Sequence, residues 1–332
     1  MKRGKFVTVI LIIILIFSVP FSITGCHMPA SYKGGLTFHQ IEHIAVGGDG
    51  KVWCSVADSK GVIGLGCYDG ADWNIYTTND GLPNNYVDDI VTDKNGKVWF
   101  NFGNVVGQFD GSQWIPMKAN SGPYSGISDI ISRDTEGNIW LINTDGISWY
   151  DGVNWHIYAS LESLPVNYKF IVRDARGDVW LAGETDLWRF DGSSWQSYLK
   201  ELNGQMIFSI NVDNQGNLLV CAYKSYLYGD TIGNVTRDYM KYSGKVMRFD
   251  GTTWSSFFTG SFEIRSIYQD KAGNFWCCTN EGLQVYNGAS WRTLTTADGL
   301  VSNQVFAIAE DNGGFWIGTN LGVSYYDNNA GK

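Results

Sequence analysis

The sequence predicts an all-β fold, a ring of seven four-stranded antiparallel sheets. Three observations carry that prediction: an aromatic- and glycine-rich composition, a pair of motifs recurring about every 40 residues, and an isoleucine in register ahead of each repeat. The 332 residues include 14 Trp, 18 Tyr, 17 Phe and 40 Gly but only 6 Pro. Charged residues make up 17%, below the roughly 25% usual in soluble domains. Disordered chains are poor in aromatics and rich in charge and proline, so disorder is excluded. Glycine shows no period of three and there is no heptad run, which excludes collagen and coiled coil.

The first motif reads Asp-x-x-Gly-x-x-Trp, at Asp93–Trp99, Asp134–Trp140, Asp174–Trp180 and Asp270–Trp276. Gly50–Trp53 lacks the Asp, Asp213–Leu219 lacks the Trp, and Asp311–Trp316 is one residue shorter. The second reads aromatic-Asp-Gly-x-x-Trp, at Tyr68–Trp73, Phe109–Trp114, Tyr150–Trp155, Phe190–Trp195 and Phe249–Trp254. Tyr286–Trp291 carries Asn287 for Asp, and Tyr326-Asp327 begins a seventh copy. Three residues before each first-motif Asp position stands Ile44, Ile90, Ile131, Ile171, Ile210, Ile267 or Ile308.

Between motifs lie short stretches rich in β-branched and aromatic residues, bounded by Gly, Asp and Asn, which read as strands. Asp-x-x-Gly suits a turn capped by the carboxylate, and Asp-Gly suits a tight hairpin. Each unit therefore reads as inner strand, turn, Trp strand, loop, aromatic strand, Asp-Gly turn and outer Trp strand. Units of 40–45 residues with four strands are β-propeller blades. Seven of them fill residues 36–332 as one domain. The seventh lacks an outer strand, so residues 28–38 are expected to supply it and close the ring.

The stretch Asp298-Gly-Leu-Val-Ser-Asn through Trp316-Ile-Gly-Thr319 resembles the two-component regulator propeller repeat, as do Asp80-Gly-Leu-Pro-Asn-Asn85 and Gly318-Thr-Asn-Leu-Gly-Val323. That repeat builds periplasmic sensor domains of hybrid two-component systems, many of which recognise glycan fragments. The resemblance spans residues 36–327 and implies a binding propeller. The chain shows no kinase or DNA-binding part, so signalling by this chain alone is not implied.

Residues 2–5 are basic and Val7 to Phe17 nearly all apolar, the order of an export signal. Ile23-Thr24-Gly25-Cys26 resembles the lipobox of bacterial lipoproteins, which implies a signal peptide over residues 1–25 and a lipidated Cys26 on a tether to residue 35. His27 follows Cys26 where an inner-membrane retention signal of Gram-negative lipoproteins would place Asp, so in a Gram-negative envelope the outer membrane or cell surface is the expected address. The formal net charge is −9, and without Lys2, Arg3 and Lys5 it falls to −12, with 21 bases against 33 acids. So acidic a chain, without a basic stripe, repels phosphate backbones, and nucleic acid is not an expected partner.

The repeated Trp are expected to pack between sheets and the repeated Asp to cap turns; function is sought where the units differ. Both signature turns fall on one face of the disc, so the loops of variable length share the other. The longest, 222–246, holds Tyr226, Tyr228, Arg237, Tyr239 and Lys241 among its tyrosines and charges, a set suited to sugar stacking or a protein contact. Five residues before each repeated Asp position stand Glu42, Asp88, Asp129, Lys169, Phe208, Arg265 and Phe306, a possible funnel around the central opening. Trp149 and Trp188 lie outside the repeating positions and join the candidates.

Catalytic signals are thin. His27, His39, His43 and His156 are the four histidines, whereas streptogramin lyases, propellers with similar turns, use histidines in late blades with magnesium. Adjacent acids such as Asp88 and Asp89 are expected on opposite faces of a strand. Cys54 and Cys67 are placed opposite one another in one hairpin, where export permits a disulfide. No metal or cofactor set is apparent. The expectation is a non-catalytic, monomeric binding or sensing module for an extracellular glycan or protein ligand, held at a membrane by its lipid anchor. The alternatives are a structural adaptor for another envelope protein, and a streptogramin-lyase-like or polysaccharide-lyase-like enzyme.

Overall fold

Seven four-stranded antiparallel sheets close into a ring, each inner strand lying beside those of the blades before and after it, with blade 7 against blade 1. The structure, a computed structural model, describes residues 23–24, 40–58, 61–103, 105–109, 113–117, 128–143, 146–160, 168–232 and 235–327. From inner to outer strand, blade 1 is Ile44–Val46, Val52–Asp58, Gly61–Tyr68 and Trp73–Tyr76. Blade 2 is Asp89–Thr92, Val98–Asn101, Val106–Phe109 and Trp114–Pro116. Blade 3 is Ser128–Arg133, Ile139–Asn143, Gly146–Tyr150 and Trp155–Ser160. Blade 4 is Tyr168–Arg173, Val179–Gly183, Leu187–Phe190 and Trp195–Ser197. Blade 5 is Met206–Val212, Leu218–Ile232, Val235–Phe249 and Trp254–Gly260. Blade 6 is Ile264–Gln269, Phe275–Thr279, Gly282–Tyr286 and Trp291–Leu294. Blade 7 is Val305–Glu310, Gly314–Thr319 and Gly322–Asp327, closed on its outer edge by Ile23–Thr24.

That closing strand is N-terminal, as expected, but it is not the expected segment. Ile23 pairs with Tyr326 and Thr24 with Tyr325, whereas residues 28–38 lie outside the described residues. The chain then enters blade 1 from the seventh blade, where the Ile41 N–H donates to the Thr319 carbonyl at 2.9 Å.

The repeated Asp and Trp form one device. Asp134 Oδ1 accepts the N–H groups of Glu136 and Asn138, while its Oδ2 accepts the Trp140 indole N–H at 2.9 Å. The same indole bond joins Trp99 to Asp93, Trp180 to Asp174, Trp276 to Asp270 and Trp316 to Asp311. One carboxylate thus caps the turn and satisfies the polar atom that a buried Trp carries inward. Blade 5 has Leu219 at the Trp position, and there the Arg248 guanidinium takes the free oxygen of Asp213 at 2.6 Å. Glycine follows at positive φ in these turns, as at Gly137 and Gly177, a region a side chain adopts only with strain. Turns of successive blades touch: the Lys94 N–H donates to the Gly137 carbonyl at 2.9 Å.

The core is not central but divided among the seams. Each of seven buried apolar clusters draws on two neighbouring blades, such as Trp140, Ile142 and Ile147 of blade 3 with Ile171, Val179 and Leu181 of blade 4. The outer Trp of one blade stands edge-on against the inner-motif Trp of the blade before. Trp155 meets Trp99 at 5.8 Å and 85°, and Trp254 meets Trp180 at 6.2 Å and 88°, the edge-to-face geometry aromatic quadrupoles favour.

Two sequence expectations change here. Trp53 pairs with Cys67 and Cys54 with Gly66, so the two cysteines are one step out of register and project from opposite faces of the sheet. Cys54 packs towards blade 7 and Cys67 towards blade 2, both as free buried thiols. Burial pushes the Cys67 thiol up to about 12. The disulfide that export would permit is therefore not formed, and the alternative of two buried free thiols holds. Nor is 222–246 a loop: it is the distal part of a continuous hairpin in which Tyr226 pairs with Lys241 and Tyr228 with Tyr239.

Asp134→Ala removes the turn cap and orphans a buried indole N–H, which should cost about 2–4 kcal/mol in urea denaturation. Trp195→Phe, at an indole nitrogen with no hydrogen-bond partner among the described residues, should give a much smaller loss. Equal losses would show that the carboxylate–indole bond contributes little.

Candidate functional site: the mouth of the central channel

The inner strands enclose an axial cavity of about 800 Å³. Glu42, Asp88, Lys169, Phe208, Arg265 and Phe306 line it at the end where the variable loops lie. Strand alternation alone would not bring all of them there. In blades 3 to 7 the register of the inner strand breaks at this position, so that Asp129, Lys169, Phe208, Arg265 and Phe306 have no partner residue across the ladder. A bulge of this kind bends a strand and re-aims a side chain. Blade 2 shows the equivalent irregularity: the Asp88 N–H donates to the Asn101 carbonyl at 2.8 Å, and Asp89 pairs with the same Asn101. Asp88 and Asp89 consequently both line the cavity, contrary to the alternation expected of neighbouring strand residues.

The mouth is chemically uneven. On the side of blades 1 and 2 stand Glu42, His43, Asp88 and Asp89. His43 Nδ1 lies 3.4 Å from Asp89 Oδ1. Burial disfavours the imidazolium, but the hydrogen bond to Asp89 and the charges of Asp89, Glu42 and Asp88 outweigh it and raise the His43 pKa. Burial also raises the Asp88 carboxyl, with His43 pulling it down and Asp89 pushing it up. On the side of blades 4 to 7 the cations are engaged. Lys169 Nζ is 2.6 Å from Glu184. The Arg265 guanidinium lies 3.9 Å over the Phe306 ring and donates to Gln304, Glu263 and the Val305 carbonyl.

The other candidates are distributed differently. Trp149 and Trp188 are half-buried against the cluster between blades 3 and 4, away from the residues that line the cavity. Trp149 is sandwiched between Trp140, at 5.9 Å and 14°, and His156, at 4.3 Å and 20°. His156 in turn binds Asp151 at 2.8 Å, holding that carboxyl well below the usual range together with the turn N–H groups of Asn154 and Val153. Tyr226 and Leu227 are exposed on the blade 5 hairpin. Tyr228, Arg237 and Tyr239 belong to its strands, but their side chains fall outside the described residues, as do those of Cys26 and Asp129. His43 and Asp89 were not singled out from sequence as mouth residues; position next to Glu42 and Asp88 was the available signal. Among the described residues there is no group of His, Cys, Asp and Glu suited to a metal ion, and no helix long and apolar enough to cross a membrane.

The segments resembling a known repeat have a clear mechanical role. Thr77 and Thr295 cap single 3-10 turns through capping boxes with Asp80 and Asp298. Asn85 and Asn303 accept the next N–H groups, while Leu82 and Leu300 plug the seam clusters. These turns fix two inter-blade loops on the variable face.

Because the folded pKa of His43 is raised, its protonation contributes stability that is fully present below the unfolded value and lost as pH rises through the folded one. NMR titration should place the His43 midpoint above 6.5, the ordinary imidazole value, and Asp89→Asn should lower it. A midpoint at or below 6.5, unmoved by that change, would contradict the pairing.

Residues 81–103 and 299–321 match the family described as "Two component regulator propeller". No curated protein matches the chain. Among solved structures, the extracellular domain of a putative hybrid two component system from B. thetaiotaomicron superposes with a TM-score of 0.68 at 16% identity, covering 94% of this chain and 42% of that one. Virginiamycin B lyase from Staphylococcus aureus gives 0.61 at 16% identity over 88% and 97%. PorZ, a surface component of the type-IX secretion system of Porphyromonas gingivalis, gives 0.56 at 17% over 90% and 48%. The chain thus spans about two fifths of the sensor chain it matches, and likeness at these identities establishes the fold. What the chain carries, in two matched copies within a seven-bladed ring, is the two-component regulator propeller repeat.

Proposed function

We propose that this chain is a non-catalytic, extracytoplasmic ligand-binding propeller that receives its ligand at the variable-face mouth of the channel, with glycan fragments as the first ligand class. One observation carries the reading. The position that differs most in chemistry from blade to blade, from carboxylate to phenyl ring to guanidinium, is the one that bulges turn towards an open cavity. A position serving only the ring would repeat, as Asp, Gly and Trp do. The resemblance to extracellular sensor domains supports the same reading.

An enzyme is the weaker alternative. A histidine-to-alanine variant of the S. aureus lyase is catalytically inactive, and this sequence holds no histidine after His156, so blades 5 to 7 have none. An adaptor role is favoured by the exposed apolar residues Tyr86, Tyr226, Leu227 and Leu321 on the loops and hairpin of the variable face. In either role the protein is held at the bacterial envelope through lipidated Cys26. Cleavage before Cys26 also removes Ile23 and Thr24, so processing leaves the outer edge of Gly322–Asp327 without the partner it has here.

A thermal-shift screen of oligosaccharides should find some that raise the melting temperature, with the shift lost in Asp88→Ala and kept in Trp149→Phe. If no saccharide stabilises the protein and one envelope protein co-purifies stably, the adaptor reading replaces this one. For the anchor, Cys26→Ser should move the protein from the membrane to the soluble fraction, and persistent membrane association would refute lipidation.

A further inference from the structure

We propose that the mouth of the channel selects saccharides bearing a free, protonated amine and rejects anionic ones. This rests on the binding reading above and assigns the charge of its ligand. Some ionic groups at the mouth are already neutralised and others are not. Both cations on the blade 4–7 side are: Lys169 by Glu184 at 2.6 Å, and Arg265 by Glu263 at 3.4 Å. Arg265 is also fixed by Gln304 and the Val305 carbonyl, and its plane is stacked on Phe306. Its side chain is nine-tenths buried, with a covered Nε that meets no acceptor. A carboxylate or sulfate arriving there would have to displace Glu263 or Glu184 to gain a full cation. Of the other basic groups lining the cavity, His43 is paired with Asp89 and Arg133 belongs to the opposite end, beside Asp134 and Thr135.

The blade 1–2 side is the reverse. Asp89 has His43, but among the described residues the Asp88 carboxylate has no hydrogen-bond donor although it is half-buried. Among the described residues Glu42 accepts only the Gln40 amide. The lifted Asp88 carboxyl reports the same imbalance, a carboxylate removed from water and only partly compensated by His43. A partly desolvated carboxylate gains most from a charge-assisted donor, and an ammonium supplies both charge and hydrogen bonds. Across the opening, Phe208 offers a ring, backed by Tyr223 at 5.5 Å, for the apolar face of a sugar. An amino sugar carries both parts, whereas a uronic acid places like charge against Asp88 and Glu42.

Calorimetry on the intact propeller, at low ionic strength and neutral pH, would compare oligomers of β-1,4-glucosamine, their N-acetylated counterparts, oligogalacturonate and a lysine-containing oligopeptide. The glucosamine oligomer should bind, and N-acetylation or Asp88→Asn should weaken it about tenfold or more, the scale of a charge-assisted hydrogen bond. Glu42→Gln, at an exposed residue, repeats the test should Asp88→Asn fail to fold. Galacturonate binding as tightly, or affinity unmoved by both substitutions, would overturn the charge selection while leaving a saccharide site standing. Binding of the peptide alone would overturn the saccharide class. If none of the four binds, the binding reading falls, and this proposal with it.

Discussion

The structure depends on a buried hydrogen bond between a turn carboxylate and a tryptophan six residues on, five in the shortened seventh blade. A tryptophan between two sheets buries a large apolar area, but its N–H goes in with it, and an orphaned donor of that kind costs about 1–3 kcal/mol. The Asp solves this without an additional residue, because its two oxygens face different ways. One closes the turn and the other reaches the ring, as at Asp174, where Oδ1 takes the Arg176 and Asp178 N–H groups and Oδ2 the Trp180 indole at 3.0 Å. Turn geometry and seam packing are therefore locked together in each such blade. Since every seam joins two blades, a fault in one turn is felt across its neighbour.

That coupling explains why so much of the fold could be read from the chain. Asp, Gly and Trp recur because each blade solves the same local problem with local residues, and local solutions leave periodic traces. What could not be read depends on pairing between distant backbone segments. The offset that separates Cys54 from Cys67 is a matter of one residue in register, and a single step sends side chains to opposite faces. The bulges at Lys169 and Arg265 break strand alternation with no characteristic residue type, so nothing in the sequence marks them as bulges rather than plain strand. The N-terminal partner of blade 7 is ambiguous for a similar reason. A sheet edge accepts any extended segment that can reach it, and backbone hydrogen bonds carry little information about which side chains come with them.

Stability and the proposed recognition are divided in space. The turns of the repeated pattern occupy one face, and the seams hold the rings that keep the disc rigid. The bulged positions lie at the other end of the same inner strands, where identity is free to change: phenylalanine at 208 and 306, lysine at 169, arginine at 265. Such a division lets the mouth be charged unevenly without cost to the core. It also accounts for the tryptophans. Trp149 and Trp188 are exceptions to the repeat but not to its logic, because both fill space in the seam between blades 3 and 4.

Blade 5 departs from the pattern in two linked ways that bear on the proposed recognition. Leu219 leaves Asp213 without an indole, and Arg248 replaces it from the third strand, so the turn is pinned to that strand rather than to the second alone. Those same two strands continue for 15 residues each and leave the blade as a hairpin. At its base Tyr223 packs on Phe208 at 5.5 Å and on Tyr242 at 6.3 Å. The base of the hairpin is thus in contact with a mouth residue. A two-stranded ribbon is marginal in water without such support, and the support here is a ring that also lines the cavity. On the proposed reading, a ligand too long for the channel would meet the hairpin next, and contact with Phe208 would reach Tyr223 directly.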